Sequence, residues 1–179
     1  MSSKGDILIS GKDLWKSFTS GDDEVSIIKG LDFSLAQGES ISIMGDSGSG
    51  KSTLLNLLSG LDCLDKGSLK WKERSIDNLS SSTLSSLRRS FIGFVFQSFY
   101  LVPDLTVYEN LYLSAKIGSK NMSRDVIHKR IKKYIEKVDL KDREQHSVTT
   151  LSGGEKQRVA IARALICDPL IIFADEPTG

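Results

Sequence analysis

The chain is 179 residues long, 39% hydrophobic and 26% charged, which is enough apolar material for one core of ordinary size. Its 24 Lys and Arg almost cancel 23 Asp and Glu, so no positive excess argues for a dedicated nucleic-acid binder. No stretch approaches the roughly 18 apolar residues of a membrane-spanning helix, and the opening MSSKGDILIS lacks the apolar core of a signal peptide. Cys63 and Cys167 lack metal-ligand spacing and read as reduced thiols.

Ile7 to Phe18 alternates weakly and predicts a strand. Gly21, Asp22 and Asp23 mark a turn, and Val25 to Leu35 resumes as a second strand. Glu39 to Met44 (ESISIM) reads as a short buried strand that runs into a glycine-rich loop. Lys51 to Leu58 follows as a helix with Leu54, Leu55 and Leu58 facing inward, so strand, loop and helix open an α/β unit. In the serine-rich stretch 79 to 90, Leu84 and Leu87 favour a short amphipathic helix over low complexity. Ile92 to Phe96 (IGFVF) predicts another buried strand. From Thr106 to Lys141 the period becomes helical. Ile127, Ile131, Tyr134, Ile135 and Val138 share one face, and Ser123 suits the N-cap. The opposite face, with His128, Lys129, Arg130, Lys132, Lys133 and Lys137, reads as solvated rather than as a lipid or nucleic-acid surface. Past Ser147 the pattern predicts a helix over Gly154 to Ile166 and an apolar strand of the parallel kind over Leu170 to Ala174.

Two motifs carry chemistry. Gly45-Asp46-Ser47-Gly48-Ser49-Gly50-Lys51-Ser52 matches G-x-x-x-x-G-K-[ST], in which glycines let backbone N–H groups converge on phosphate oxygens. The following helix adds its N-terminal partial charge; Lys51 is expected to reach the β- and γ-phosphates and the Ser52 hydroxyl to bind Mg²⁺. The bland alternative is a glycine turn between strand and helix. The second motif is the apolar run ending in Asp175-Glu176. A carboxylate at the C-terminal end of a parallel strand stands over the ligand crevice of such sheets. Asp175 suits water-mediated Mg²⁺ binding, and Glu176 suits a general base acting on water. Alone, an acidic pair after an apolar run is equally a surface turn.

The decisive string is Leu151-Ser152-Gly153-Gly154-Glu155-Lys156-Gln157-Arg158 and the helix after it, which resembles the signature of ABC nucleotide-binding domains. Gly153 and Gly154 at a helix start offer a second anion site, while Ser152 also reads simply as an N-cap. The resemblance implies an α/β fold: a P-loop NTPase (RecA-like) core with a parallel sheet, antiparallel N-terminal strands and an inserted α-helical subdomain. It implies one nucleotide-binding domain, with residues 1–97 and 151–179 as its core and 98–150 as the helical part. It implies ATP and Mg²⁺, with ATP contacts from Gly45 through Ser52, Thr53, Phe18 and Val25, and metal contacts from Ser52, Gln97 and Asp175. Lys51, Gln97 and Glu176 are the implied catalytic residues, with Gln97 sensing Mg²⁺ and the attacking water and Phe18 stacking on adenine. Ser152, Gly153, Gly154 and Glu155 are implied to complete the nucleotide site of a second copy in a head-to-tail dimer. The further implied partner is an integral-membrane permease at the cytoplasmic face of the inner membrane, with no nucleic acid.

SGLD (59 to 62) and IGFVFQSFYLVPDLTVYENL (92 to 111) resemble the branch serving lipoprotein release, macrolide efflux and cell division, and lipoprotein release is the expectation favoured among these. A soluble repair or translation ATPase, and a nucleotide-binding module without turnover, are the alternatives. Three residues depart from the family pattern: Asp46 places a charge in the phosphate loop, Phe18 replaces a commoner tyrosine, and Glu155 replaces a commoner glutamine. Phe99, Tyr100, Leu101, Val102, Pro103 and Leu105 form a segment too apolar for an ordinary loop. Part is expected in the helical core and part as an exposed groove for a permease helix. The family continues past DEPTG with a subunit-contact loop and a switch histidine, and His128 and His146 both precede the signature. The expectation is therefore an incomplete domain, poorly soluble alone and nearly without turnover.

Overall fold

The computed structural model describes residues 5–21, 23–118 and 122–176. The chain divides into two compact units, residues 1–88 and 89–179.

The first unit is built on a four-stranded antiparallel sheet in the order β2-β1-β3-β4. Strands β1 (Ile7–Ser20) and β2 (Asp23–Ala36) form a long hairpin, and β3 (Lys66–Trp71) pairs with the other edge of β1, followed by the short β4 (Arg74–Ser75). Helix α1 (Lys51–Leu58) buries Leu54, Leu57 and Leu58, while Leu55 is only partly covered. Trp71 Nε1 donates to the Leu58 carbonyl at 2.9 Å, joining the end of α1 to β3. Helix α2 (Ser81–Phe91) follows, and the division between units falls within it.

One predicted strand is absent. Residues 39–46 carry no regular secondary structure, and Met44 is 88% exposed. ESISIM has the composition of a buried strand, but composition supplies no ladder partner. Within this unit β1 and β3 are already paired on both edges. An apolar run gains little from extended geometry unless neighbouring N–H and C=O groups are free to receive it.

The second unit sets helices against a parallel pair, β5 (Ile92–Val95) with β6 (Ile171–Ala174), in the register Ile92↔Ile171 to Val95↔Ala174. Its core joins α3 (Val107–Gly118), α4 (Arg124–Lys137) and α5 (Gly153–Leu165) through Val107, Leu111, Ile127, Ile131, Ile135 and Val159, all buried. Each such side chain contributes on the order of 1.5–3 kcal/mol. Ser123 caps α4, its hydroxyl accepting from Val126 N–H at 3.4 Å. Helix α5 lies close on β5 at Gly93, where a Cβ would come within 2.4 Å of the Ala164 carbonyl oxygen.

The basic face of α4 is solvated at Lys129, Lys132, Lys133 and Lys137, but not throughout. Arg130 turns inward, donating to the Ile166 carbonyl at 3.0 Å and pairing with Asp168 at 2.8 Å. His128 is half-buried and stacks with Tyr108 of α3. Both residues lie beside the apolar stripe, close enough for a long or flat side chain to reach a neighbouring helix.

The loop after β5 is held by Asn110, one of two buried polar residues among those described. Its Oδ1 accepts from Val102 N–H at 2.8 Å, and its Nδ2 reaches the carbonyls of Val102 at 3.2 Å and Thr106 at 3.0 Å. Truncation leaves these backbone groups without their partner. Asn110→Ala is expected to cost about 1–3 kcal/mol, measured as the shift in urea midpoint at unchanged slope; Asn110→Asp, which sets a buried carboxylate oxygen against the same carbonyls, should cost more.

Candidate functional site

The glycine loop of the first unit has the form of an anion cradle. Gly48 (φ 80) and Gly50 (φ 95) take left-handed backbone, which a Cβ disfavours. A Cβ on Gly50 would also come within 2.6 Å of the Ile27 side chain on β2. Lys51 Nζ donates to the carbonyls of Gly45 at 2.9 Å and Asp46 at 2.8 Å, closing the loop on its own helix. An ammonium has three donors, so one remains for a ligand. No side chain caps α1, and no acidic residue lies in its first turn, which leaves its positive end to an anion. Asp46 is exposed, and the loop uses its carbonyl, accepting from Ser49 N–H at 3.1 Å and from Lys51. Its charge therefore acts through solvent, where screening keeps the cost modest. Ser47, Ser49 and Ser52 are exposed, and Thr53 is partly so.

Phe18 and Val25 are direct cross-strand partners in the β1–β2 hairpin, 44% and 47% exposed. They form an apolar pair outside the core, two residues along β2 from the Ile27 that Gly50 packs against. Lys16 Nζ lies 5.2 Å from the Phe18 ring centroid.

In the second unit the parallel ladder sets the geometry. Asp175 N–H donates to the Val95 carbonyl at 3.0 Å, extending the pairing one residue past β6. Gln97 and Glu176, 79 residues apart in sequence, then meet: Gln97 Nε2 donates to Glu176 Oε2 at 2.5 Å. With its nitrogen on Glu176, the amide keeps Oε1 available as an acceptor. Glu176 has left-handed backbone (φ 45), a conformation that costs a non-glycine residue roughly 1–3 kcal/mol and concentrates at functional sites.

The signature string forms the start of α5 as a capping box. Ser152 Oγ accepts from Glu155 N–H at 3.3 Å, and Glu155 Oε2 accepts from Ser152 N–H at 2.8 Å. Arg143 Nε donates to Glu155 Oε1 at 2.9 Å. The Ser152 backbone hydrogen bond, then Arg143 and the Ser152 hydroxyl, pull the Glu155 carboxyl down to about 2. The expectations for Glu155, a variant of glutamine among the residues serving a second copy, do not include this capping role. The serine-x-x-glutamate spacing that signals this box was present in the string. Gly153 and Gly154 are exposed, and outside the adjoining backbone of their own helix nothing comes nearer than 4.0 Å to where a Cβ would stand. Nothing in the local fold requires glycine there.

A family profile described as ABC transporter matches residues 28–179. The lipoprotein-releasing system ATP-binding protein LolD of Cytophaga hutchinsonii is 46% identical over 172 residues, 96% of this chain and 76% of that protein. The chain belongs to the ABC transporter family. The same cassette is 45% identical to LolD of Treponema denticola, covering 99% of this chain and 76% of that one. It is 44% identical to the uncharacterized ABC transporter ATP-binding protein MJ1508 of Methanocaldococcus jannaschii, covering 96% and 76%. A solved dimeric structure, the ATP-binding cassette MJ0796 in a post-hydrolysis state bound to ADP and Pi, is similar with TM-score 0.90 at 38% identity, covering 95% and 74%. This ABC cassette is accordingly an ATP-binding ATPase domain of the α/β class. Among its described residues no helix is long and apolar enough to cross a membrane.

The capping box gives a pH prediction. A carboxyl depressed to about 2 stabilises the fold above its ordinary value of 4.5, and that stability is lost as pH falls towards 2. Glu155→Gln keeps the box geometry without the charge. It should lower the melting temperature at pH 7 and reduce the slope of stability with pH between 4.5 and 2, read by thermal unfolding across that window.

Proposed function

We propose that this chain is the ATP-hydrolysing subunit of a transporter that releases lipoproteins from a membrane, acting at the cytoplasmic face of the inner membrane. The observation that carries the catalytic part is the Gln97–Glu176 hydrogen bond beyond the carboxyl ends of two parallel strands. Ligands of open α/β sheets bind beyond that end. A carboxylate there, oriented by an amide, suits general-base activation of water.

In this reading the loop from Gly45 to Ser52 cradles the phosphates, and the remaining Lys51 donor meets the β- and γ-phosphate oxygens. Phe18 and Val25 offer adenine an apolar surface. The Ser52 hydroxyl, the Gln97 amide oxygen and the Asp175 carboxylate are all hard oxygen donors, which fits Mg²⁺. Held by these residues, Mg²⁺ would supply neutralisation of charge on the transferred phosphoryl group. Ser152, Gly153, Gly154 and Glu155 serve a second copy. Two glycines that the local fold does not require are explained by close approach of a nucleotide held by the partner.

The apolar loop supports a permease contact. Tyr100 is 67% exposed, and Val102 and Pro103 are exposed beside it, whereas Leu101 packs on the helical core. A cytoplasmic helix of the permease is the occupant proposed for this surface. The cargo follows the relatives named for lipoprotein release.

Two variants separate binding from turnover. Lys51→Ala removes a charge-assisted contact of about 1.5–3 kcal/mol and should weaken MgATP binding roughly 10- to 100-fold, by titration of a fluorescent analogue. Glu176→Gln should bind ATP as the parent does while steady-state phosphate release falls on the order of 10²- to 10⁴-fold. Unchanged affinity in the first, or unchanged turnover in the second, removes that residue from the site. Reconstitution with the permease should then show ATP-dependent release of a lipoprotein; efflux of a macrolide instead would reassign the cargo.

A further inference from the structure

Two residues after Gln97 the backbone does something that needs a cause. Phe99 (φ 60) and Tyr100 (φ 44) lie consecutively in the left-handed region. Bulky L-residues occupy it only where the surroundings over-determine them. Local bonds start the turn: Phe99 N–H donates to the Phe96 carbonyl at 3.1 Å and Tyr100 N–H to the Ser98 carbonyl at 2.6 Å. The outer grip comes from α5. Arg163 Nη2 donates to the Phe99 carbonyl at 2.6 Å, and Arg163 Nη1 donates to the Tyr100 carbonyl.

This guanidinium is half-buried, and that desolvation lowers its pKa. Among the described residues no carboxylate pairs with it, and it donates to the two carbonyls. A desolvated cation needs compensation, and these carbonyls supply it. Two adjacent acceptors on one turn also match the fixed fork of arginine, which a lysine cannot reproduce. Arg163 stands near the far end of the helix that begins with the Ser152 capping box, roughly 15 Å along it at 1.5 Å per residue. The same helix lies against β5 at Gly93. The turn carrying Gln97 is thus fastened to α5, and Gln97 in turn holds Glu176.

We propose that Arg163 is a positioning residue for ATP hydrolysis: its forked grip on Phe99 and Tyr100 locks the left-handed turn that sets Gln97 against Glu176. The inference rests on the reading of Gln97 and Glu176 as the groups that orient and activate water. Arg163 acts through the turn it grips, so its loss is expected to act on the rate and not on binding.

The test is steady-state ATP turnover by the subunit, with melting temperature and ATP affinity measured on each variant. Arg163→Ala should lower kcat roughly 10- to 100-fold, the scale of a small misplacement of reacting groups, at KM within about twofold of the parent. Arg163→Lys, which keeps the charge but not the fork, should fall between and also serves if the alanine variant does not fold. Phe99→Gly in the Arg163→Ala background should recover part of the lost kcat, because glycine takes the left-handed conformation without a Cβ penalty. A purely structural arginine would lower melting temperature with no such recovery. Folded Arg163→Ala or Arg163→Lys at the parental kcat, or no recovery with Phe99→Gly, overturns the proposal. Glu176→Gln run in parallel separates the two levels. If it turns over at the parental rate, the reading of the site fails; if it is inactive while Arg163→Ala is unaffected, only the role of Arg163 fails.

Discussion

The parallel pairing of β5 with β6 is the constraint on which the Gln97–Glu176 end of the second unit depends. Four residue pairs, from Ile92↔Ile171 to Val95↔Ala174, fix the register, and the Asp175 N–H bond to Val95 carries it past the strand end. Side chains alternate faces along a strand, so a slip of one residue would reverse every side chain on β6. Gln97 and Glu176 could not then meet. Their contact between residues 79 positions apart is a consequence of backbone register, and the buried Ile92, Val95, Ile171 and Phe173 are what hold that register in place.

The phosphate loop of the first unit solves a different problem. As the proposed phosphate cradle it would present N–H groups outward, against the tendency of a chain to satisfy them internally. Left-handed glycines at 48 and 50, an uncapped α1 and a lysine that ties down the Gly45 and Asp46 carbonyls achieve this together. The start of α5 handles the same difficulty by other means. Ser152 and Glu155 satisfy each other's N–H groups, and Gly153 and Gly154 stay uncluttered.

Much of this was legible in the sequence because the signals are local. Phosphate-loop spacing, the Ser123 cap, the period of Ile127, Ile131 and Ile135, and the apolar run before Asp175 each report on a few consecutive residues. What escaped depends on partners distant in sequence. ESISIM reads as a strand until a ladder partner is sought. Arg130 reads as solvated until the Ile166 carbonyl and Asp168 come within reach. Asn110 and Arg163 gave no signal, because each acts on backbone carbonyls, and a carbonyl has no letter in the sequence. Glu155 is different: its capping spacing is local and legible, inside a string that also matches the family signature.

The proposed head-to-tail pair gives a use to the exposed glycines of α5, which a single copy leaves idle, by setting them against a nucleotide held at the open end of the other copy's α1. The local packing does not require glycine at 153 or 154, and the start of α5 has the form of one half of an anion site. Light scattering on Glu176→Gln, with and without ATP, tests that account most directly. The account predicts a monomer without nucleotide and a dimer with ATP, and loss of the dimer when Ser152→Arg is added while ATP still binds. A Glu176→Gln protein that binds ATP yet stays monomeric at high concentration, or one that dimerises regardless of Ser152→Arg, would contradict it.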